Sequence, residues 1–216
     1  MIRKDIIQPI NDLIEKQSEQ LKDKIAYADE IESISYKNLN IETKNLSFYL
    51  NEKNLNSGDV ASIILPNSVN WIVSCFAIVR LGCLVVPISY DSVLSEIEYK
   101  LKDSNTKVVI TTNEIKNKIK SELIFKYKIQ FITIDDQKEN LNLSKIRKTN
   151  HKYILLKDDI DRPSYILYTS GTTGQPKGVL LTTRGMLWVI ASCWMPIAGL
   201  NKKSKVLSPL PLFHSY

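Results

Sequence analysis

The chain has 216 residues, of which 44% are hydrophobic and 24% are charged, so it is ordinary for a globular protein of one sizeable domain or two small ones. The formal net charge is +6, and the stretch 100–150 alone accounts for that excess, with 12 Lys or Arg against 6 Asp or Glu. Because these cations are nearly all lysines interleaved with acidic and apolar residues, they indicate a solvated face and argue against nucleic acid as a partner.

Hydrophobic periodicity predicts alternating helices and strands along the chain. The predicted elements of the first half are a helix at 5–21, strands at 24–28 and 33–36, a helix at 37–54, a strand at 60–65, a helix from Ser68 to residue 81, and a strand at 84–88. Those that follow are a helix at 94–103, a strand at 107–112, a helix at 114–120, strands at 130–134, 164–169 and 179–181, and a helix at 184–198. Residues 135–162 are polar and predict a connecting segment. The alternation implies an α/β fold with a mostly parallel sheet flanked by helices.

Two apolar stretches, 71–88 and 186–200, raise the question of a membrane span. The first is interrupted by Arg80 and Gly82, and the second is short and contains Pro196, whereas a spanning helix needs about 20 predominantly apolar residues. Both stretches therefore predict buried helices, and the N-terminus has no apolar core of signal-peptide length. The expectation is a cytoplasmic protein that is not transmembrane.

The three cysteines, Cys75, Cys83 and Cys193, all lie in apolar stretches and lack the spacing of a metal site. An odd number of cysteines without a secretory signal predicts buried, reduced thiols.

Residues 168–178 read YTSGTTGQPKG and predict a loop that binds polyphosphate. Four hydroxyl side chains lie within it: Thr169, Ser170, Thr172 and Thr173. Three glycines let the backbone approach a ligand closely: Gly171, Gly174 and Gly178. Successive backbone N–H groups in such a loop can form an anion-binding nest, and Lys177 adds a point charge. The loop is neither a Walker A sequence nor a Gly-x-Gly-x-x-Gly fingerprint.

The full string, extended to Val179, resembles the signature of the adenylate-forming (AMP-binding) superfamily, which includes acyl-CoA synthetases, adenylation domains of peptide synthetases, and luciferases. Segments that resemble further family motifs occur in the expected order at 35–39, 58–68, 80–88 and 209–214. The resemblance covers nearly the whole chain. It implies that residues 1–216 are the N-terminal portion of the family's large α/β domain.

The resemblance implies a two-step reaction. A carboxylate attacks the α-phosphate of ATP in the presence of Mg²⁺, giving an acyl-adenylate and pyrophosphate, and the acyl group then passes to a thiol, usually coenzyme A or a carrier pantetheine. Carried over by motif, contacts to the β- and γ-phosphates are implied for Thr169, Ser170, Thr172, Thr173 and Lys177. Gly171 and Gly174 would let the loop fold over these phosphates. Lys177 is implied as a catalytic residue, and Thr173 as the residue at the metal.

Residues 209–214 read PLPLFH and resemble the Pro-Leu-Phe-His motif of the family. By this resemblance His214 lines the acyl pocket near the adenylate, and we count it with Lys177 as catalytic. Amino-acid-activating domains usually have Asp after the Phe, so Phe213 followed by His214 favours a fatty or aryl acid. Transfer to a carrier protein, as in fatty-acyl-AMP ligases, remains open.

The sequence lacks the later motifs of the family, including its ribose-binding aspartate and the catalytic lysine of its C-terminal domain. We therefore expect that this chain alone does not complete adenylation and that its uncovered apolar strands reduce solubility. Three classes remain open: the N-terminal part of an acyl-CoA synthetase-like ligase, a non-catalytic remnant, and a subunit completed by a separately encoded C-terminal half. The sequence names neither the acid nor the acceptor thiol.

Overall fold

The computed structural model describes residues 2–135, 142–149, 159–169 and 175–214. Their strands are β1 Ile25–Ala28, β2 Ser33–Ser35, β3 Val60–Ile63, β4 Leu84–Pro87, β5 Val108–Thr111, β6 Gln130–Thr133, β7 Pro163–Thr169 and β8 Lys177–Thr182. Their helices are α1 Ile10–Leu21, α2 Tyr36–Glu52, α3 Val69–Arg80, α4 Leu94–Asp103, α5 Asn113–Lys118, α6 Ser121–Tyr127, α7 Leu143–Ile146, α8 Thr183–Val189 and α9 Met195–Ile197. A 3₁₀ turn covers Lys4–Ile6, and a π-helical turn, Ile190–Trp194, joins α8 to α9.

Six strands form the central sheet in the order β6-β5-β3-β4-β7-β8. All neighbours in it are parallel except β7 and β8, which form an antiparallel hairpin at one edge. A separate antiparallel pair, β1 and β2, precedes α2. The prediction of a mostly parallel sheet flanked by helices is confirmed.

Helices cover both faces of the sheet because its central strands carry apolar side chains on both sides. In β4, Val85 belongs to a core shared with α2 and α3, whereas Val86 belongs to a second core shared with α4 and α5. In β5, Val108 and Ile110 face the first core and Val109 faces the second. Because successive residues of a strand face opposite cores, the sheet lies between two layers of helices.

The connections between these elements carry specific local signals. Ser68 starts α3, as predicted, because its hydroxyl oxygen accepts a hydrogen bond from the Trp71 amide at 3.2 Å. Gly82 joins α3 to β4 with φ +72°, and a Cβ there would lie 2.5 Å from the Ser57 hydroxyl oxygen. Only glycine meets both demands at that turn.

Some predicted helix boundaries were wrong, and two short helices were missed. The first helix begins at Ile10 rather than residue 5, because Pro9 occupies the position before it. The helix predicted at 114–120 ends at Lys118, and a further helix, α6, follows it. The polar stretch 135–162, predicted as a connecting segment, includes the short helix α7, whose Leu143 and Ile146 are buried in the first core.

The stretch 186–200 is largely exposed, which corrects the prediction of a buried helix. Trp188, Trp194 and Ile197 are 45%, 52% and 82% exposed, because the segment packs on the domain through one side only, at Leu187 and Ala191. Cys193 lies on the exposed side, whereas the other two cysteines are buried as predicted. The helices in the described part of the chain are too short or too polar to cross a membrane.

Candidate functional site

The β7–β8 hairpin places two of the predicted phosphate contacts opposite each other. Thr169, the last residue of β7, is the cross-strand partner of Lys177, the first residue of β8. Both residues are exposed. Lys177 was predicted to lie within the loop, with β8 starting at residue 179. The strand instead begins two residues earlier, so the backbone of Lys177 is held in the sheet ladder and its ammonium group extends from a fixed position.

The remaining predicted loop residues, Ser170, Gly171, Thr172, Thr173 and Gly174, lie outside the described residues. Thr173, the predicted metal contact, is therefore without a structural test. Elsewhere, in 2–135, 142–149, 159–169 and 175–214, no group of three or more His, Cys, Asp or Glu side chains could hold a metal ion.

The end of the hairpin at which Thr169 pairs with Lys177 lies at the carboxyl edge of the parallel sheet. Because β3, β4 and β7 are parallel, the segments that follow Ile63, Pro87 and Thr169 emerge on the same side of the sheet. Ligands of open α/β sheets bind along this edge. The position of Thr169 and Lys177 is thus one at which a ligand would be expected from topology alone.

The segment that carries His214 is attached to the same edge. Asn67, in the loop after β3, donates to the Leu210 carbonyl at 2.8 Å and accepts from the Leu212 amide at 2.8 Å. Leu212 packs against the first core, and the rings of Phe213 and His214 lie 4.7 Å apart. His214 itself is exposed. The structure therefore places the segment of the predicted His214 at the carboxyl edge of the sheet, where Thr169 and Lys177 also lie.

Burial favours the neutral form of two titratable groups at the start of the hairpin, Tyr165 of β7 and Cys75 of α3. Burial raises the pKa of Tyr165 well above its ordinary value, and its hydroxyl lies 2.7 Å from the Cys75 sulfur. Burial likewise raises the pKa of Cys75 to about 12. A thiol with that pKa is not a nucleophile at neutral pH, so Cys75 has a packing role.

An apolar cavity of about 350 Å³ lies between α1, α3, β7 and α8. Tyr36, the first residue of α2, lines this cavity. Tyr27, Phe76 and Leu187 line it as well, and none of the described residues that line it is charged. The cavity thus offers nothing that would bind a phosphate group, and the hairpin remains the site candidate.

Two features of the site were not predicted from the sequence. Asn67 lies within the family-like segment 58–68, but its role was not predicted, since its partners lie 143 and 145 residues later in the chain. Helix α4 was predicted with correct bounds, but nothing local indicates that its Tyr99 and Asp103 contact the hairpin.

Fold and site together define an α/β domain in which a β-hairpin pairs Thr169 with Lys177 at the carboxyl edge of the sheet. Residues 14–216 match the family model of the AMP-binding enzymes, and the chain belongs to that adenylate-forming family. Among curated proteins it is 30% identical over 183 residues to tyrocidine synthase 1 of Brevibacillus parabrevis, covering 82% of this chain and 15% of that protein. It is 27% identical over 210 residues to zwittermicin A synthase ZmaJ of Bacillus cereus, covering 94% of this chain and 36% of that protein.

Among solved structures, the fold matches o-succinylbenzoate CoA synthetase (MenE) of Bacillus subtilis in complex with its acyl-adenylate intermediate. The TM-score is 0.78 at 23% identity, and the match covers 96% of this chain and 50% of that chain. The same synthetase in complex with ATP and a magnesium ion matches with the same TM-score and identity. The chain thus spans 50% and 40% of these two synthetase chains, and less of the curated relatives.

Proposed function

We propose that this chain supplies the polyphosphate-binding part of an ATP-dependent ligase that activates a carboxylic acid as its acyl-adenylate. The observation that carries the proposal is the pairing of Thr169 with Lys177 at the carboxyl edge of the sheet, on either side of the SGTTG string. This pairing puts a hydroxyl and a cation at the two ends of a glycine-rich loop, which is the chemistry that polyphosphate requires.

The reaction needs charge stabilisation more than covalent chemistry from the protein. Negative charge increases on the leaving pyrophosphate as the carboxylate displaces it, and preorganised donors stabilise that charge most effectively. Lys177 would supply a positive charge from a backbone position that is held in the β-ladder. Thr169, with Ser170, Thr172 and Thr173, would supply hydroxyl donors to the β- and γ-phosphates. Mg²⁺ would enter with the nucleotide, and Thr173 is its proposed contact.

His214 is proposed to line the acid pocket and to act beside Lys177. The support is that Asn67 attaches the segment before His214 to the carboxyl edge of the sheet. A histidine rather than an aspartate after Phe213 offers no anion to pair with an α-amino group. We therefore propose a fatty or aryl carboxylic acid as substrate, with coenzyme A as the acceptor thiol in the second step.

A second candidate is an adenylation domain that serves a carrier protein. It is favoured by the curated relatives, since the two named above are synthases of tyrocidine and zwittermicin A. Both candidates share the adenylation step and differ in the acid and in the acceptor thiol. A non-catalytic remnant is the third possibility, in which the hairpin keeps its geometry without supporting turnover.

We propose that residues 1–216 are the N-terminal portion of the AMP-binding domain and that its remainder covers the apolar surface beside the hairpin. Val179 and Leu180 of the edge strand β8 are exposed, as are Trp188 and Trp194. An exposed strand edge with apolar neighbours is a surface that proteins normally cover. The covering part would be carried on the same polypeptide or encoded separately. We propose a cytoplasmic location, which suits three free cysteines.

The test is carboxylate-dependent ATP–pyrophosphate exchange with a panel of fatty, aryl and amino acids. It is run on the 216-residue chain alone and on the chain combined with the remainder of the domain. Exchange with a fatty or aryl acid in the combined sample supports the proposal, whereas exchange with amino acids alone supports the carrier-linked candidate. Absence of exchange with every acid in the combined sample contradicts both and supports the remnant.

A further inference from the structure

Helix α4 contacts both arms of the hairpin, next to each of the two predicted phosphate contacts. The Tyr99 hydroxyl donates to the Pro176 carbonyl at 3.0 Å, and Pro176 directly precedes Lys177. The Tyr168 hydroxyl donates to Asp103 Oδ2 at 2.6 Å, and Tyr168 directly precedes Thr169. One helix, more than 60 residues earlier in the chain, is thus bonded to the residue before each of these contacts.

The same helix face also packs against the hairpin. The rings of Tyr99 and Tyr168 lie 6.4 Å apart at 75°, an edge-to-face contact. Lys100, which forms an ion pair with Glu96 at 2.5 Å, places its ammonium group 5.6 Å from the centre of the Tyr168 ring. Residues 96, 99, 100 and 103 share one face of a helix by their spacing, so the contact is a property of α4 as a unit.

The hairpin needs such support because the end that carries Thr169 and Lys177 has little strand pairing with the rest of the sheet. In the described part of the chain, the register of β7 with β4 includes one pair, Val85 with Tyr165, four residues before Thr169. Beyond that pair, β7 has only β8 as a strand neighbour, and β8 is an edge strand. The last residues of β7 would therefore be free to fray without the contacts to α4.

We propose that α4 is the positioning element of the phosphate site, with Tyr99 and Tyr168 as the positioning residues that hold Lys177 and Thr169 opposite each other. The effect of this positioning on catalysis rests on the proposed function, whereas the claim that α4 holds the hairpin in place rests on geometry alone. Neither tyrosine touches a reacting atom in this role. Each acts through the neighbouring residue that does.

The first test uses hydrogen exchange of the free protein. Tyr99→Phe and Tyr168→Phe each remove one hydroxyl and keep the ring. Tyr90→Phe is the matched control, since the Tyr90 hydroxyl donates to Glu114 of α5 at a distance of 3.4 Å. We expect exchange in the peptide spanning β7 and β8 to become about threefold to tenfold faster in Tyr99→Phe, and tenfold or more in Tyr168→Phe, whose bond is to a carboxylate. The control and the core peptides should match wild type. Unchanged hairpin exchange, or an equal increase throughout the chain, would overturn the proposal.

The second test separates positioning from general stability in the complete enzyme. In ATP–pyrophosphate exchange, Tyr99→Phe and Tyr168→Phe should raise KM for MgATP by about threefold to tenfold and leave KM for the carboxylic acid within twofold. An equal rise in both KM values, or no rise in either, would contradict the positioning role. If wild type shows no exchange, the proposed function is wrong, whereas the hydrogen-exchange comparison still decides whether α4 holds the hairpin.

Discussion

Replacing Gly178 with alanine should strain the hairpin at the residue next to Lys177. A Cβ at this position would lie 2.9 Å from Ile166 Cγ2 and 3.4 Å from Tyr168 Cζ, and the first separation is shorter than carbon atoms tolerate. Both contacts involve partly buried side chains that pack against the second core, so neither moves freely. Overpacking of this kind costs about 1–3 kcal/mol, and we expect Gly178→Ala to lower the free energy of unfolding by that amount.

The assay is equilibrium urea unfolding of wild type, Gly178→Ala, Ile166→Leu and the double variant. Ile166→Leu is the matched partner, because leucine keeps the volume of isoleucine but has no Cγ2 methyl to meet the new Cβ. Alone it should cost less than about 1.5 kcal/mol. Combined with Gly178→Ala it should recover about 1 kcal/mol or more relative to the sum of the single changes. Strictly additive effects, or a Gly178→Ala variant as stable as wild type, would refute the steric reasoning.

Three further predictions follow from other contacts. Asn67→Ala removes both bonds to the segment before His214, so exchange at residues 207–214 should become about tenfold faster, and unchanged exchange would contradict the attachment. Arg147→Met leaves Glu32 and Glu42 without their buried partner and should cost about 3–5 kcal/mol in urea unfolding, whereas a variant as stable as wild type would show that the ion pairs add nothing. Burial raises the Cys75 pKa from 9.0 to about 12, so the thiol ionises at lower pH in the unfolded chain than in the folded one. The contribution of Cys75 to the free energy of unfolding is therefore fully present below about pH 9 and is lost as the pH rises toward 12. Cys75→Ala should reduce that fall by up to about 1.4 kcal/mol per pH unit, and a pH dependence identical to wild type would be against it.

The parts of the fold that the sequence predicted well are those with strong local signals. Helix α4 was predicted with its observed bounds, and the central strands were predicted within two residues, because each is a short apolar run buried on both faces. Helix α6 was missed for a physical reason. It has no side-chain cap at its start. Phe125 in its middle is 88% exposed, so the sequence does not separate an apolar face, formed by Leu123, Ile124 and Tyr127, from a polar one.

The candidate site was only partly accessible from the sequence. The loop string identified Lys177, but the start of β8 at that residue depends on pairing with β7, which no local pattern shows. The exposure of the stretch 186–200 was also missed, because its composition is that of a buried helix, whereas its exposed side includes Trp188, Trp194 and Ile197. Tyr99 reaches the hairpin only through tertiary contact, so its spacing on α4 could not indicate a role.

The most direct test of the central claim is the binding of inorganic tripolyphosphate to this chain by titration calorimetry, in wild type, Lys177→Ala and Lys126→Ala. Lys126→Ala is the matched control, since it removes one exposed lysine from α6 and changes the net charge equally. We predict that Lys177→Ala weakens binding at least tenfold, the loss of one charge-assisted contact, while Lys126→Ala binds within twofold of wild type. Equal affinity of wild type and Lys177→Ala would contradict the assignment of the hairpin as the polyphosphate site.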